Sequence, residues 1–383
     1  MLTHFYNRIR CAAWFLLLVL LVGCGPSKQP FQVVLESETL EMEQTEQGSP
    51  ISGIRTGIKR QCITSVDNSF ECIDEGAYFM CSMSDGSWLL YADHDTNSLV
   101  KLCSLENCTH DTVDCDAWFG NATNICFYDG FLYTVVDMTK LYRISPEGSG
   151  RSFVMDAMDV DGHYDGCMTP TVWAGVFSWF LTYQEDGLTK ADAYYYKLDG
   201  SMDGPAVMHS GYFGGNDGVE FVMNTFMDDQ GNSGAFMYGW EPDTNARTFL
   251  ADRTQYQYGY WGIDASYVYR DGQILKLLSD ATETVVFDTG LTGTCRPLFF
   301  PDCIVLIQQK EVPVLRIYDW EGRLLGSLEL DIPLEIAPEM VVCGETDQRI
   351  MLTGKANFLP EYYIEKSDFG TGSIALHAYN LFE

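Results

Sequence analysis

From about residue 70 to the C-terminus, apolar and polar positions alternate in short runs broken by Gly, Asp and Asn, and no helical period is sustained. That pattern predicts an all-β body. One unit recurs along it: the strand Leu141-Tyr142-Arg143-Ile144, a turn at Glu147-Gly148, then the strand Ser152-Phe153-Val154-Met155. The same shape returns at Tyr194 to Leu198 before Asp199-Gly200, and at Phe236 to Trp240 before Asp243-Thr244-Asn245. It returns again at Leu315 to Tyr318 before Glu321-Gly322 and Leu324-Leu325. Further turns centre on Asp95-Thr96-Asn97, Ser279-Asp280-Ala281 and Ser367 to Gly372, which makes seven candidate hairpins.

Their turns are spaced by roughly 40 to 50 residues, the length of one four-stranded propeller blade. Asn124 to Tyr128, Asp129-Gly130 and Phe131 to Val135 read as an inner hairpin of such a unit, and Tyr267 to Ile274 around Asp271-Gly272 reads the same way. Asp-Gly accepts the positive backbone angles of a two-residue hairpin turn. A single blade leaves both faces exposed, whereas a ring of blades covers both. The expected fold is therefore an all-β β-propeller of about seven four-stranded blades over residues 61–383, with six or eight fitting the same punctuation. The competing arrangement is a pair of β-sandwiches.

The first residues follow a different rule. Residues 1–23 carry Arg8 and Arg10, no acid, and an apolar run from Cys11 to Val22 that is too short to span a bilayer comfortably but fits a secretory leader. The run closes on Leu21-Val22-Gly23-Cys24, which resembles the lipobox of bacterial lipoproteins. In such a leader the Cys becomes the first mature residue and carries a diacylglyceryl thioether, so Cys24 is the expected lipidation site. Two or three acyl chains hold a protein on a bilayer where one does not. The expected location is the cell membrane, lipid-anchored and facing outside the cytoplasm. Residues 24–60, with Pro26, Pro30 and five Glu between Glu36 and Glu46, read as an acidic tether ahead of the folded body.

The formal net charge of −31 changes the picture in one respect. A chain this acidic is repelled by phosphate backbones, so nucleic acid is excluded as a partner. The 8 Trp, 22 Tyr and 22 Phe supply enough apolar surface to offset the entropy of ordering and exclude a disordered chain.

Among 13 cysteines the dense group is Cys103, Cys108, His110 and Cys115, in a turn-rich segment just after the first hairpin. Three thiolates and an imidazole suit a structural, tetrahedral Zn²⁺. The C-x4-C-x-H-x4-C spacing differs from the usual zinc-finger pairs, and an extracytoplasmic address favours disulfides, so both readings stand. Either one staples an irregular loop. Cys295 and Cys303 invite a cross-strand bridge, and Cys62, Cys72 and Cys81 crowd the entry to the first repeat.

Tyr256, Tyr258 and Tyr260 alternate along a strand and run into Trp261, an aromatic platform on which a sugar ring could stack. Trp118, Trp173, Trp179 and Trp240 would add to it if their loops met at one rim; the alternative is the ordinary aromatic filling between blades. Asp156, Asp159, Asp161 and Asp165 miss the EF-hand register and read as a solvated turn between repeats. Ser82 to Trp88 is similar to a sialidase Asp-box but puts Gly directly after Asp. The chain contains no H-E-x-x-H, G-x-S-x-G or Walker motif, and no catalytic residue is assigned.

The lipobox, the hairpin repeats and the Cys-rich segment beside the first repeat together resemble the extracytoplasmic β-propeller lipoproteins of Gram-positive Firmicutes. The resemblance implies fold and location and carries over no catalytic residues. The expected function is a membrane-anchored binding or scaffolding module for a carbohydrate, a peptide or an envelope protein. The alternative is a polysaccharide-active hydrolase or lyase on the same fold.

Overall fold

The computed structural model describes residues 70–381 apart from 74–75, 112, 174, 186–187, 209–211, 217–218, 228–232, 242–245, 253–258, 262–265, 278–281, 294 and 301. Residues 1–69, with the expected leader, tether and Cys24, lie outside the described residues, as do Tyr256 and Tyr258. Within them the chain is all-β, with two short 3-10 turns at Pro338–Met340 and Lys366–Asp368.

Among the described residues the strands group into seven antiparallel sheets, each built from four consecutive strands in up-and-down order. In chain order we number them I to VII; their first strands are Phe70–Ile73, Ala122–Tyr128, Gly166–Trp173, Tyr212–Asn216, Gly259–Trp261, Cys295–Phe299 and Val342–Glu345. Sheet I takes two more strands: Trp118–Gly120 pairs antiparallel with Gly86–Asp93, and Asn380–Leu381 pairs parallel with Ser98–Lys101. The last strand of the chain thus lies on the outer edge of the first sheet.

Five of the seven turns read from the sequence fall between the third and fourth strands of one sheet, while Asp243-Thr244-Asn245 and Ser279-Asp280-Ala281 lie outside the described residues. The Asp-Gly turns hold as well. Asp129 and Gly130 have φ of 45° and 79°, and Asp271 and Gly272 have 51° and 86°, the doubly left-handed pair a type I′ turn requires. One of them is placed differently from the expectation. Tyr267 to Ile274 joins the second and third strands of sheet V, because Gly259–Trp261 pairs ahead of it as the inner strand.

Side chains explain why the sheets stack. The strand Ile304–Gln308 is buried at all five positions, so it must be covered on both faces. Its Val305 and Ile307 pack with Val342, Ile350 and Leu352 of sheet VII, while Ile304 and Leu306 pack with Ile274 of sheet V. Phe177, Trp179 and Leu181 of sheet III meet Val135 and Leu141 of sheet II in the same manner. Each such fully buried side chain contributes roughly 1.5–3 kcal/mol. The core is therefore a series of apolar layers between neighbouring sheets.

First strands of successive sheets lie side by side: I beside II, II beside III, III beside IV and V beside VI. The first strand of sheet I also lies beside that of sheet VII. Trp88 and Leu90 of sheet I share one apolar cluster with Ile125 of sheet II and with Met351 and Tyr363 of sheet VII. First and last sheets are thus neighbours, as a closed β-propeller requires and two β-sandwiches do not.

Polar groups hold this seam. Arg349, buried in sheet VII, donates from Nη2 to the His94 carbonyl at 2.9 Å and to Asn97 Oδ1 at 2.6 Å in sheet I. It also donates from Nε to Glu365 at 3.0 Å. Tyr363 donates its hydroxyl to the same Asn97 oxygen at 3.1 Å, and the Asn380 amide donates to the Asn97 carbonyl at 2.8 Å. Asn97 has φ of 56°, a left-handed conformation that Asn tolerates better than most side chains. Cys81, one of the cysteines at the entry to the first repeat, sets its thiol 3.9 Å from the Phe358 carbonyl across the seam.

Candidate metal centre

The third strand of sheet I is Gly86–Asp93, and its outer neighbour is interrupted. Ser98–Lys101 pairs with Leu90–Asp93, the Leu102 amide donates to the Leu89 carbonyl at 2.9 Å, and then the chain leaves the sheet. It returns at Ala117, whose carbonyl accepts from the Leu89 amide at 2.8 Å, and continues as Trp118–Gly120 on the same side of the same strand. Residues 103–116 are an excursion from one split outer strand. Asn107 and His110 turn it with φ of 60° and 54°.

That excursion brings Cys103, Cys108, His110 and Cys115 together, with their ligand atoms all within 4.8 Å of one another. Nδ1 of His110 lies 3.5 Å from Sγ of Cys115. A tetrahedral Zn²⁺ with ordinary Zn–S and Zn–N lengths sets this edge at about 3.6 Å. Cys115 is buried and the other three are half-buried. Cys103, Cys108 and Cys115 are not joined in disulfides. Cys295 pairs with Gln308 across its sheet and does not face Cys303, which packs among the aliphatic side chains between sheets VI and VII.

The surroundings act differently on the thiols. Burial pushes the Cys115 thiol up to about 12, with hydrogen bonds to Cys103 and Cys108 adding to it. Burial acts on Cys103 too, but donation from the Leu105 and Asp116 amides and from the Cys115 and Cys108 thiols brings it below the ordinary thiol range. A carboxylate is not needed to complete the set. With four protein ligands the cluster has the composition of a closed, structural site, not of a catalytic one that keeps a position for water.

Two cations grip the loop from outside. Lys101 donates its Nζ to the His110 carbonyl while lying 3.6 Å above the Trp88 ring. Arg151, from the neighbouring sheet II side, donates to the Cys115 carbonyl at 3.3 Å and to the Trp118 carbonyl. Gly148 adds a third anchor, accepting from the Ser104 amide at 3.0 Å. Its φ of 78° and the Leu102 carbonyl 2.7 Å from where a Cβ would sit leave no room for another residue. The sequence singles out the four clustered residues but neither cation, since a lone Lys and a lone Arg carry no spacing signal.

The other sequence candidates are placed as follows. Tyr260 and Trp261 lie on the first strand of sheet V, in register with Tyr267 and Ser266. Trp179 is buried against Phe177 and Tyr194, part of the filling between sheets and not of a rim platform. The Asp-box-like segment is the turn between the first sheet's second and third strands, where Trp88 Nε1 donates to Asp85 Oδ1 at 3.1 Å. Asp156 opens the connection from sheet II to sheet III, capping the Met158 amide at 3.0 Å.

No protein-family model matches the chain, and no curated protein matches it. Solved structures do. One is apo AztD from Citrobacter koseri, at 10% identity and a TM-score of 0.42, covering 82% of this chain and 88% of that one. YCF48 bound to D1 peptide matches at 12% identity and a TM-score of 0.40, covering 80% and 89%. An oligogalacturonate lyase in complex with manganese matches at 10% identity and 0.38, covering 65% and 75%. Likeness of this size carries no argument about what this chain does.

Proposed function

We propose that the protein is a seven-bladed β-propeller that hangs from the outer face of a cell membrane by an acylated Cys24 and serves as a binding or scaffolding module. Its partner in this reading is a carbohydrate, a peptide or an envelope protein. The acidic segment 24–60 spaces the propeller from the bilayer, and its charge keeps it extended. The Cys103, Cys108, His110 and Cys115 cluster carries a structural Zn²⁺ that staples the outer edge of the first blade.

The observation that supports the reading most is the neighbourhood of sheets I and VII, joined through Arg349 and Asn97. A ring so closed is rigid and gathers its turns at two ends, which is where a ligand meets loops from several blades. Tyr260 and Trp261, on the first strand of sheet V, are the candidates for stacking in this reading.

The test uses the full acylated chain in detergent micelles, titrated calorimetrically with a panel of polysaccharides and envelope peptides. Saturable binding without shortening of the ligand supports the module reading. Steady turnover of a glycan overturns it in favour of a hydrolase or lyase. Labelling with a palmitate analogue tests the anchor separately: label is incorporated by the wild type and absent from Cys24→Ser.

A further inference from the structure

The excursion 103–116 poses a structural problem. It separates two halves of one strand, and among the described residues the sheet bonds at the break are those of Leu89, whose amide takes the Ala117 carbonyl and whose carbonyl takes the Leu102 amide. These two bonds stand at 2.8 and 2.9 Å, so the halves meet on a single residue. The ligands are distributed across the break. Cys103 follows Leu102 directly, and Cys115 stands two residues before Ala117. Whatever joins Cys103 to Cys115 therefore closes the gap between the strand halves.

Charge supports a cation in that position. Three thiolates and a divalent ion leave one net negative charge, and Lys101 and Arg151 stand at the carbonyls of two ligand residues, His110 and Cys115. Each is backed by an aromatic ring, Lys101 by Trp88 at 3.6 Å and Arg151 by Phe119 at 5.5 Å. Trp88 is on the spliced strand's partner and Phe119 on its second half. The cations thus connect ligand loop and strand, and they lower the cost of the excess thiolate charge.

We propose that Zn²⁺ at this cluster splices the split outer strand of the first sheet, with Lys101 and Arg151 as positioning residues that hold the ligand loop ready for the ion. This rests on the reading of the cluster as a metal site, and it adds what the metal does and which outer groups set its affinity. No covalent chemistry is involved. Binding releases the protons of whichever thiols are still protonated.

The experiment uses the full mature chain in detergent, reduced, with and without one equivalent of Zn²⁺. Competition with a chromophoric chelator gives affinity, Co²⁺ in place of Zn²⁺ gives the ligand-field spectrum, and hydrogen exchange reads the Leu89 and Leu102 amides. One Zn²⁺ per chain, a tetrahedral thiolate spectrum with Co²⁺, and exchange at both amides slowed at least about tenfold by the metal are expected. Lys101→Met and Arg151→Met each weaken Zn²⁺ by about 10–100-fold, the range for outer-shell partners, and Lys101→Arg recovers most of the loss. A chain that binds one Zn²⁺ while both amides exchange equally fast with and without it overturns the splice and leaves the metal site standing. A reduced chain that takes up no Zn²⁺ overturns both. Unchanged affinity in Lys101→Met and Arg151→Met overturns the positioning roles.

Discussion

Arg349 in the seventh sheet and Asn97 in the first are joined by a 2.6 Å hydrogen bond between residues 252 positions apart in sequence. The contact is one of a group. Tyr363 of sheet VII and the amide of Asn380, on the edge of sheet I, also bond to Asn97, and the Arg349 guanidinium lies 4.0 Å from the centre of the Tyr363 ring. Two turns whose local chemistry is unrelated are thereby fixed to each other, and the sheets behind them close.

A second buried cation next to this seam makes its own prediction. Lys366 is nearly enclosed and pairs with Glu345, whose carboxylate is fully buried, and with Asp302 at 2.9 Å. Burial alone would lower the Lys366 pKa, but the Glu345 charge, the neighbouring Cys303 and the hydrogen bonds to Glu345 and Asp302 together hold the ammonium above its ordinary range. Lys366→Met strands Glu345 without its cation and should destabilise the protein by about 3–5 kcal/mol. Adding Glu345→Gln to it should restore a substantial part of the loss, read as urea midpoints.

His94 gives the pH dependence. Burial foremost, then the positive charge of Arg349, pull its imidazole down to about 4 against the partial support of Asp93, Gln348 and Asp95. The unfolded chain therefore binds a proton near pH 6.5 that the folded chain refuses until about pH 4. Stability from this group is present above that window and is lost as pH falls through it. Unfolding free energies measured between pH 7 and 4 should decline in the wild type, and the decline should be shallower in His94→Gln by at least about 1 kcal/mol.

Much of the architecture was legible because turns are local. Asp129-Gly130 and Asp271-Gly272 declare their backbone angles by residue type, and alternation such as Leu141-Tyr142-Arg143-Ile144 declares a strand. The clustering of Cys103, Cys108, His110 and Cys115 was legible for a similar reason, since Cys and His within one short segment are close whatever the fold. What stayed hidden is long-range. Nothing near Arg349 in sequence says that its partner is Asn97, and nothing near Lys101 says that it faces His110 and not solvent. The split of the outer strand was hidden too, because the run ending at Leu102 and the run starting at Ala117 read as separate pieces. The placement of Trp179 in the core instead of on a rim also depends on which sheets become neighbours.

Ligand binding has a corresponding test. In the proposed module, Trp261→Ala should weaken a bound glycan by about 1–3 kcal/mol if the ring stacks on it, as aromatic platforms do elsewhere. The value is read by calorimetry on the acylated chain, with the melting temperature of the variant measured beside it. An unchanged affinity at unchanged melting temperature removes Trp261 from the binding surface.

The ring itself is tested most directly by a double-mutant cycle across its seam. Arg349→Met removes the guanidinium, and Asn97→Gly removes the amide while keeping a residue at ease with a φ of 56°. Unfolding free energies of the wild type, the two single variants and the pair give the coupling between the first and seventh sheets. Closure predicts that the losses fall short of additive by about 1–2 kcal/mol, beyond the roughly 0.5 kcal/mol scatter of independent sites. Losses that simply add would mean the two sheets do not meet, and would contradict a closed ring.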